Sequence, residues 1–309
     1  MKELAVDFTP KFSKRMGFFS KKGVSGTFTS VGGAFGMFAG EKRQMYYKGK
    51  GMTFDGFREY TPYDDAKMID WKASLRANKK LVRKYSEEKN KNIVFFVDVS
   101  SKMSYASHFK LKNEYAAELI ASLVYSFTQT GDTVGLVMFS EKMKRWRDPS
   151  VGEGQWLRIC EELKNPENYE GVFNFTNSAE QLLSYLSFEA VVIIVSDFIG
   201  IESEPEWTKV YEILAARCEV LAIMIRDPLD NYVPKGIGTV TISSPSGGPR
   251  VIVNLNRIRD SYNETNAKFI ENFKAFNSRL GVDMIMLTTD KDFVKPVMNF
   301  FIWREEVWR

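Results

Sequence analysis

The sequence predicts an α/β protein built on a doubly wound, mostly parallel sheet. Three observations carry that expectation. Nearly continuous apolar runs of strand length occur at 93–97, 190–196 and 219–225, as expected of strands buried on both faces. Segments of helical period alternate with them. Asp98 and Asp197 follow two of the runs directly, and open α/β sheets bind their ligands beyond such strand ends.

In chain order, 93–97 is the first strand and ends at Asp98. Residues 110–130 place Leu111, Tyr115, Leu119 and Leu123 at helical spacing, and Gly131-Asp132 closes that helix. A second strand is read at 134–139, followed by a charged loop. Helices at 154–164 and 178–186 precede the strand at 190–196, and a helix at 206–217 leads to the strand at 219–225. Beyond Asp227-Pro228, two short β runs at 239–242 and 251–253 flank Ser-Ser-Pro-Ser-Gly-Gly-Pro, which reads as an inserted hairpin at about 233–256. A helix at 260–280 and a strand at 283–287 return the chain to the sheet, and the aromatic tail at 292–308 is expected to dock.

The division expected from this pattern is an irregular segment at 1–49, an arm at 50–91 packed on the main domain, and the α/β domain at 92–309. Aromatic residues in the arm supply burial that disordered tracts lack. Its charges (Arg58, Glu59, Asp64, Asp65, Lys67, Asp70, Lys72, Arg76) read as an ion-pair network fixing the arm to the main domain, with a docking face as the alternative.

Bulk composition excludes several classes. Lysine and arginine total 43 against 39 acidic residues, too even a balance for electrostatic recognition of nucleic acid. Cys160 and Cys218 read as core thiols in a reducing compartment, with no zinc site. The amino-terminal residues lack the uninterrupted apolar stretch of a signal peptide, and the soft run at 28–40 is short of the roughly 20 residues that span a bilayer. A cytoplasmic protein is expected. His108 stands without a nucleophile elbow, and the glycines at 32–40 lack the Lys-Ser/Thr of a phosphate loop.

An Asp-x-Ser-x-Ser loop after a buried strand suits Mg²⁺, a hard six-coordinate ion that prefers oxygen donors. Here the loop is Asp98-Val99-Ser100-Ser101-Lys102, and Thr176 (before the helix at 178–186) and Asp197 are placed to complete the set. The stretch FREYTPYDDAKMIDWKASLRANKKLVRKY resembles the signature of the domain-of-unknown-function 58 proteins at Arg58, Glu59, Tyr60, Pro62, Asp64, Asp65, Asp70, Trp71 and Arg76. Similarity continues through Asp98, Gly131-Asp132, Gly135, Phe139, Asp197 and Arg226-Asp227-Pro228-Leu229. The resemblance implies a von Willebrand factor A-like, Rossmann-type domain. It also implies a non-catalytic adaptor with a metal-ion-dependent adhesion-type site, working with a MoxR-type AAA+ ATPase.

Two positions depart from the pattern. Tyr63 stands where glycine is usual, and Lys102 stands where the third cation-site serine is expected. A protonated lysine has no lone pair to offer and brings a positive charge where the dication should sit. Three readings follow. The Lys102 ammonium occupies the cation position, or Lys102 turns to solvent while Mg²⁺ keeps Asp98, Ser100 and Thr176 with help from Ser101 or Ser104, or these residues only shape loops and cap helices. Lys102, Ser101 and Asn177 are the expected partner-binding residues, a partner carboxylate meeting the ammonium in the first reading. The rival functions are a metal-dependent phosphoryl-transfer or hydrolytic enzyme using Asp98 and Asp197, and a peripheral membrane scaffold anchored by 18–40. The aspartyl phosphotransferase pattern lacks its second aspartate, since Ser100 occupies that place.

Overall fold

The computed structural model describes residues 4–11, 42–44, 52–61, 64–88, 92–186, 190–243 and 249–307. They fall into two compact units, Ala39–Asn90 and the remainder. In the smaller unit, β1 (Lys42–Gln44), β2 (Met52–Glu59) and β3 (Leu81–Glu88) form an antiparallel sheet in the order β1-β3-β2, and α1 (Trp71–Ala77) connects β2 to β3. Asp70 caps α1 by accepting from the Ala73 N–H, and Asn78 ends it in the left-handed conformation, a position that suits asparagine. Arg58 pairs with Asp64, Lys79 with Glu59, and Arg83 with Asp70. These ion pairs all close within the unit.

The larger unit holds a six-stranded sheet made of β4 (Asn92–Asp98), β5 (Thr133–Phe139), β6 (Met143–Ser150), β7 (Val191–Ser196), β8 (Glu219–Arg226) and β11 (Asp283–Thr288). Their order is β11-β8-β7-β4-β5-β6. All neighbours are parallel except β6, which runs antiparallel along the β5 edge. Chain order reverses between β4 and β7, which makes the carboxyl ends of those two strands the topological switch point. The helices are α2 (Lys112–Gln129), α3 (Glu153–Lys164), α4 (Phe175–Tyr185), α5 (Trp207–Arg217), the single turn α6 (Pro228–Asn231), α7 (Leu255–Arg279) and α8 (Val294–Val307). Between α6 and α7 lies the two-stranded hairpin of β9 (Thr239–Ile242) and β10 (Val251–Asn254). This is the doubly wound, mostly parallel sheet that the apolar runs predict.

Phe95, Phe96, Ile193, Ile194 and Leu221 are fully buried, as strands covered on both faces require. Tyr211, Phe273, Phe276 and Trp207 pack α5 against α7, while Phe293, Val297 and Phe301 bury the carboxy-terminal tail. Residues 4–11 also belong to this unit. The backbone N–H groups of Ala5 and Asp7 donate to Glu114 and Glu118 on α2, and Lys11 pairs with Glu118.

Three boundaries differ from expectation. The charged loop after β5 is the strand β6, whose side chains are half-buried or exposed, as an edge strand allows. The helix expected from 178 begins at Phe175, because Asn174 caps it and Glu204 takes the N–H groups of Phe175 and Thr176. The helix expected from 260 begins at Leu255, capped by Asn254.

Gly135 in β5 faces a register shift in β6, where a Cβ would lie 2.9 Å from the Arg147 carbonyl oxygen and 3.1 Å from the Pro149 ring. Gly135→Val is therefore expected to destabilise the protein by about 1–3 kcal/mol through overpacking. Urea unfolding monitored by circular dichroism reads the change, and an unchanged midpoint contradicts this account of the β5–β6 contact.

Candidate functional site

The site grows from two adjacent strand ends. Asp98, the last residue of β4, has no solvent exposure. Its Oδ1 accepts from the Ser100 N–H at 2.9 Å and the Ser100 hydroxyl at 2.6 Å, and its Oδ2 accepts from the Ser196 hydroxyl at 2.6 Å. Ser196 ends β7, so one hydroxyl joins the two strands at the switch point. Asp197 follows it and is equally buried. The turn beyond places Phe198 at a positive φ of 55°, a conformation that a bulky residue holds only when its surroundings enforce it. Here they do. The Phe198 ring is buried against Phe273, and its N–H donates to the Ser196 hydroxyl.

Lys102 reaches into this cluster from the short 3₁₀ turn Ser101–Ser104. Its Nζ lies 2.8 Å from Asp197 Oδ1 and 3.3 Å from Asp98 Oδ2, and it donates to the Ile199 carbonyl at 2.8 Å. The Phe173 ring stands over the same nitrogen, 3.1 Å from its centroid, and the lysine side chain is 17% exposed. The ammonium donates to one carbonyl and lies at ion-pair distance from two carboxylates. The ring covers the remaining side. Lys102, expected from the sequence to meet a partner carboxylate, is turned toward Asp98 and Asp197 of its own chain.

A second lysine completes the arrangement. Lys112, the first residue of α2, is 2% exposed and lies 2.6 Å from Asp197 Oδ2 and 2.9 Å from Asp230 Oδ2. Burial alone would raise the Asp197 pKa, but the positive charges of Lys102 and Lys112 outweigh it and hold the carboxyl well below its usual range. For Lys112, burial pushes the pKa down while Asp197 and Asp230 push it up, and the net direction is upward. Both groups are therefore charged at neutral pH. Asp230 also accepts from the Asp227 N–H, and Asp227 takes the N–H and hydroxyl of Ser107 at 2.7 and 2.5 Å. The loops after β4 and β8 are thus tied together. Beside them Arg226 is buried with its Nε and Nη2 unpartnered, and burial lowers its pKa against the pull of Asp197 and Asp230.

Of the residues expected to form the site, Asp98, Ser100, Lys102 and Asp197 come together. Thr176 lies in the first turn of α4, where its hydroxyl donates to Glu204 at 2.8 Å. The Asn177 amide donates to the Glu141 carbonyl at 2.5 Å, and the Ser104 hydroxyl accepts from Asn113. Ser101 donates its N–H to the carbonyl of Gly171, where φ is 96° and an added Cβ would lie 2.9 Å from Ser140 Oγ, so a side chain is disfavoured there. Lys112, Ser196, Asp227, Asp230, Phe173 and Glu204 escape sequence reasoning. Ser196 adjoins Asp197 and Asp227 lies in the Arg-Asp-Pro-Leu stretch, whereas nothing in the sequence marks Lys112 as buried.

The donor set does not fit Mg²⁺. A hard, near-octahedral ion needs about six oxygens. Asp98 is occupied by two serines, the Thr176 hydroxyl serves Glu204, and an ammonium stands between the two aspartates. Among the described residues, no group of three or more histidine, cysteine, aspartate or glutamate side chains is placed to hold a metal ion.

Comparison with known proteins adds the following. The family model described as protein of unknown function DUF58 matches residues 56–271. Uncharacterized proteins of Mycobacterium bovis and Mycobacterium tuberculosis are each 23% identical over 245 residues, 79% of this chain and 76% of theirs. Among solved structures, the conserved hypothetical protein BatB from Bacteroides thetaiotaomicron is similar at a TM-score of 0.45 and 13% identity, covering 70% of this chain and all of that one. The VWA domain of SpRpn10 is similar at a TM-score of 0.35 and 10% identity, covering 65% of this chain and 89% of that one.

The network makes two predictions. Lys112→Met strands Asp230 and half of Asp197 in a buried setting and is expected to cost about 3–5 kcal/mol in urea unfolding, with Lys102→Met costing less because Asp197 keeps Lys112. The depressed folded-state pKa of Asp197 contributes stability that is full above the unfolded value of about 4 and is lost as the pH falls through the folded value. Unfolding midpoints measured from about pH 5 down to about pH 2 are expected to fall less steeply in Asp197→Asn than in the wild type, and parallel slopes contradict the assignment.

Proposed function

We propose that this chain, which belongs to the DUF58 family, is a non-catalytic protein-binding adaptor. A lysine ammonium in its sheet-top site takes the position that adhesion-type domains give to a divalent cation. The observation that carries the reading is the set of contacts at Lys102 Nζ, with Asp98, Asp197, the Ile199 carbonyl and the Phe173 ring around one nitrogen. A tethered cation cannot dissociate, so the loops after β4 and β7 are held without regard to ion supply. Recognition then falls to what surrounds the sealed site.

Exposed apolar side chains stand on the loops around it. Tyr105 and Phe109 follow β4, Val172 precedes α4, Ile199 follows β7 and Tyr232 follows α6, and all five are exposed, Phe109 completely. Aromatic side chains presented on a rigid base are the usual anchors of protein interfaces. The family resemblance points to a MoxR-type AAA+ ATPase as the partner, with binding independent of Mg²⁺. A hydrolytic or phosphoryl-transfer role fits less well, since Asp98 and Asp197 are both engaged by serine or lysine and have no unoccupied carboxylate oxygen to exchange protons. No helix among the described residues is long and apolar enough to cross a membrane, and the segment 18–40 considered for a membrane anchor lies outside them.

In titration calorimetry the wild type is expected to show no Mg²⁺ binding, while Lys102→Ser, which restores the family's third hydroxyl, acquires it. Tight binding by both proteins would sink the ammonium reading. With a MoxR-type ATPase as ligand, affinity is expected to survive EDTA and to fall roughly 30-fold or more in the Phe109→Ser/Tyr232→Ser double variant, the size of an interface hot spot. Loss in EDTA, or indifference to the double variant, counts against the proposed surface.

A further inference from the structure

The hairpin of β9 and β10 has no part in the Lys102 site, yet it carries features of its own. It is a complete two-stranded sheet, paired only with itself among the described residues. Its four residue pairs, from Val251 with Ile242 to Asn254 with Thr239, are in unbroken register. Neither strand contains a charge, a proline or a bulge, the usual devices that protect an open edge from pairing. Two-stranded hairpins are marginally stable unless a third strand or a packed face supports them.

Side chains alternate between its faces. Ile242, Val251, Val240 and Val253 share one face, with Ile242 45% and Val251 52% exposed. The other face carries Thr239, Thr241, Asn254 and Ile252, the last 74% exposed. Charge is equally one-sided. From residue 231 to residue 259 the chain has no aspartate or glutamate, while it carries Lys235, Arg250, Arg257 and Arg259. Arg259 pairs with Asp260. Lys235, Arg250 and Arg257 are exposed and have no carboxylate partner among the described residues. Arg250 stands at the turn end of the hairpin, and Lys235 and Arg257 flank its base.

We propose that the open edge of this hairpin, at β10, binds an extended segment of a partner protein as a third strand, one that alternates apolar with acidic residues. Main-chain hydrogen bonds to β10 supply affinity, and the row of Val251, Ile242, Val240 and Val253 takes the apolar side chains. The cations at both ends select the acidic ones. Helix α7 lies close to β9, and the partner strand is therefore assigned to the β10 edge. The sequence between the two strands, Ser-Ser-Pro-Ser-Gly-Gly-Pro, offers no large apolar side chain to a bilayer. This surface requires neither the Lys102 site nor the ATPase partner, so each reading can fail while the other stands.

The test uses the full chain and a labelled, end-blocked peptide of sequence Val-Glu-Val-Glu-Val-Glu-Val, compared with a peptide of the same composition whose valines and glutamates are in blocks. Fluorescence anisotropy is expected to show at least tenfold tighter binding of the alternating peptide. Hydrogen exchange is expected to show new protection at residues 251–254. Arg250→Glu/Arg257→Glu, whose fold is checked by its thermal midpoint, is expected to lose tenfold or more in affinity, whereas Arg250→Lys/Arg257→Lys keeps it. Equal binding of the two peptides, no binding, protection confined elsewhere, or capture by phosphatidylglycerol vesicles unaffected by the alternating peptide each overturns the proposal.

Discussion

The Asp197 carboxylate, shared between two ammonium groups, is the interaction on which the top of this molecule depends. It sits at the end of β7, beside the point where the winding of the sheet reverses, and it is fully buried. A lone carboxylate there would be expelled or protonated. Lys102 approaches from the loop after β4 and Lys112 from the start of α2, and through Asp230 the second lysine draws in the loop after β8. The β4–α2 connection, which carries both lysines, and the segment after β8 are thereby brought to one charge.

A cation attached to the chain changes what such a site can do. A metal ion keeps coordination positions for outside ligands and responds to its own concentration. The Lys102 ammonium donates to the Ile199 carbonyl, faces Asp98 and Asp197, and lies beneath Phe173. The strained Phe198 turn points the same way, because its left-handed backbone aims the Ile199 carbonyl at that ammonium and is held by a buried ring. The arrangement favours a fixed platform over a switch. On the proposed reading, binding falls to exposed side chains: aromatic and aliphatic residues on the loops around the site, and the basic hairpin of β9 and β10.

Much of the fold was legible in the sequence because burial on both faces of a parallel strand demands uninterrupted apolar residues. The runs ending at Asp98 and Ser196 met that demand. The strand β6 did not, since an antiparallel edge strand with solvent beside it tolerates Lys144, Arg145, Arg147 and Asp148 and so resembles a charged loop. The start of α4 was hidden for a related reason. Glu204, distant in sequence, binds the first N–H groups of that helix and carries it back to Phe175.

Asp98, Ser100, Lys102 and Asp197 could be identified from the sequence because strand-end position follows from local pattern. The same pattern suggested Thr176 as a ligand, and tertiary contact gave its hydroxyl to Glu204. Lys112 shows where sequence reading stops. A lysine opening a helix is ordinarily solvated, and only the convergence of α2 with the ends of β7 and β8 buries this one against Asp197 and Asp230. By itself the sequence determined the layers, the strand ends and the presence of a lysine in place of a cation-site serine. Tertiary structure alone decided which carboxylates that lysine meets and which second lysine joins them, because charge pairing and desolvation depend on distances between residues far apart in the chain.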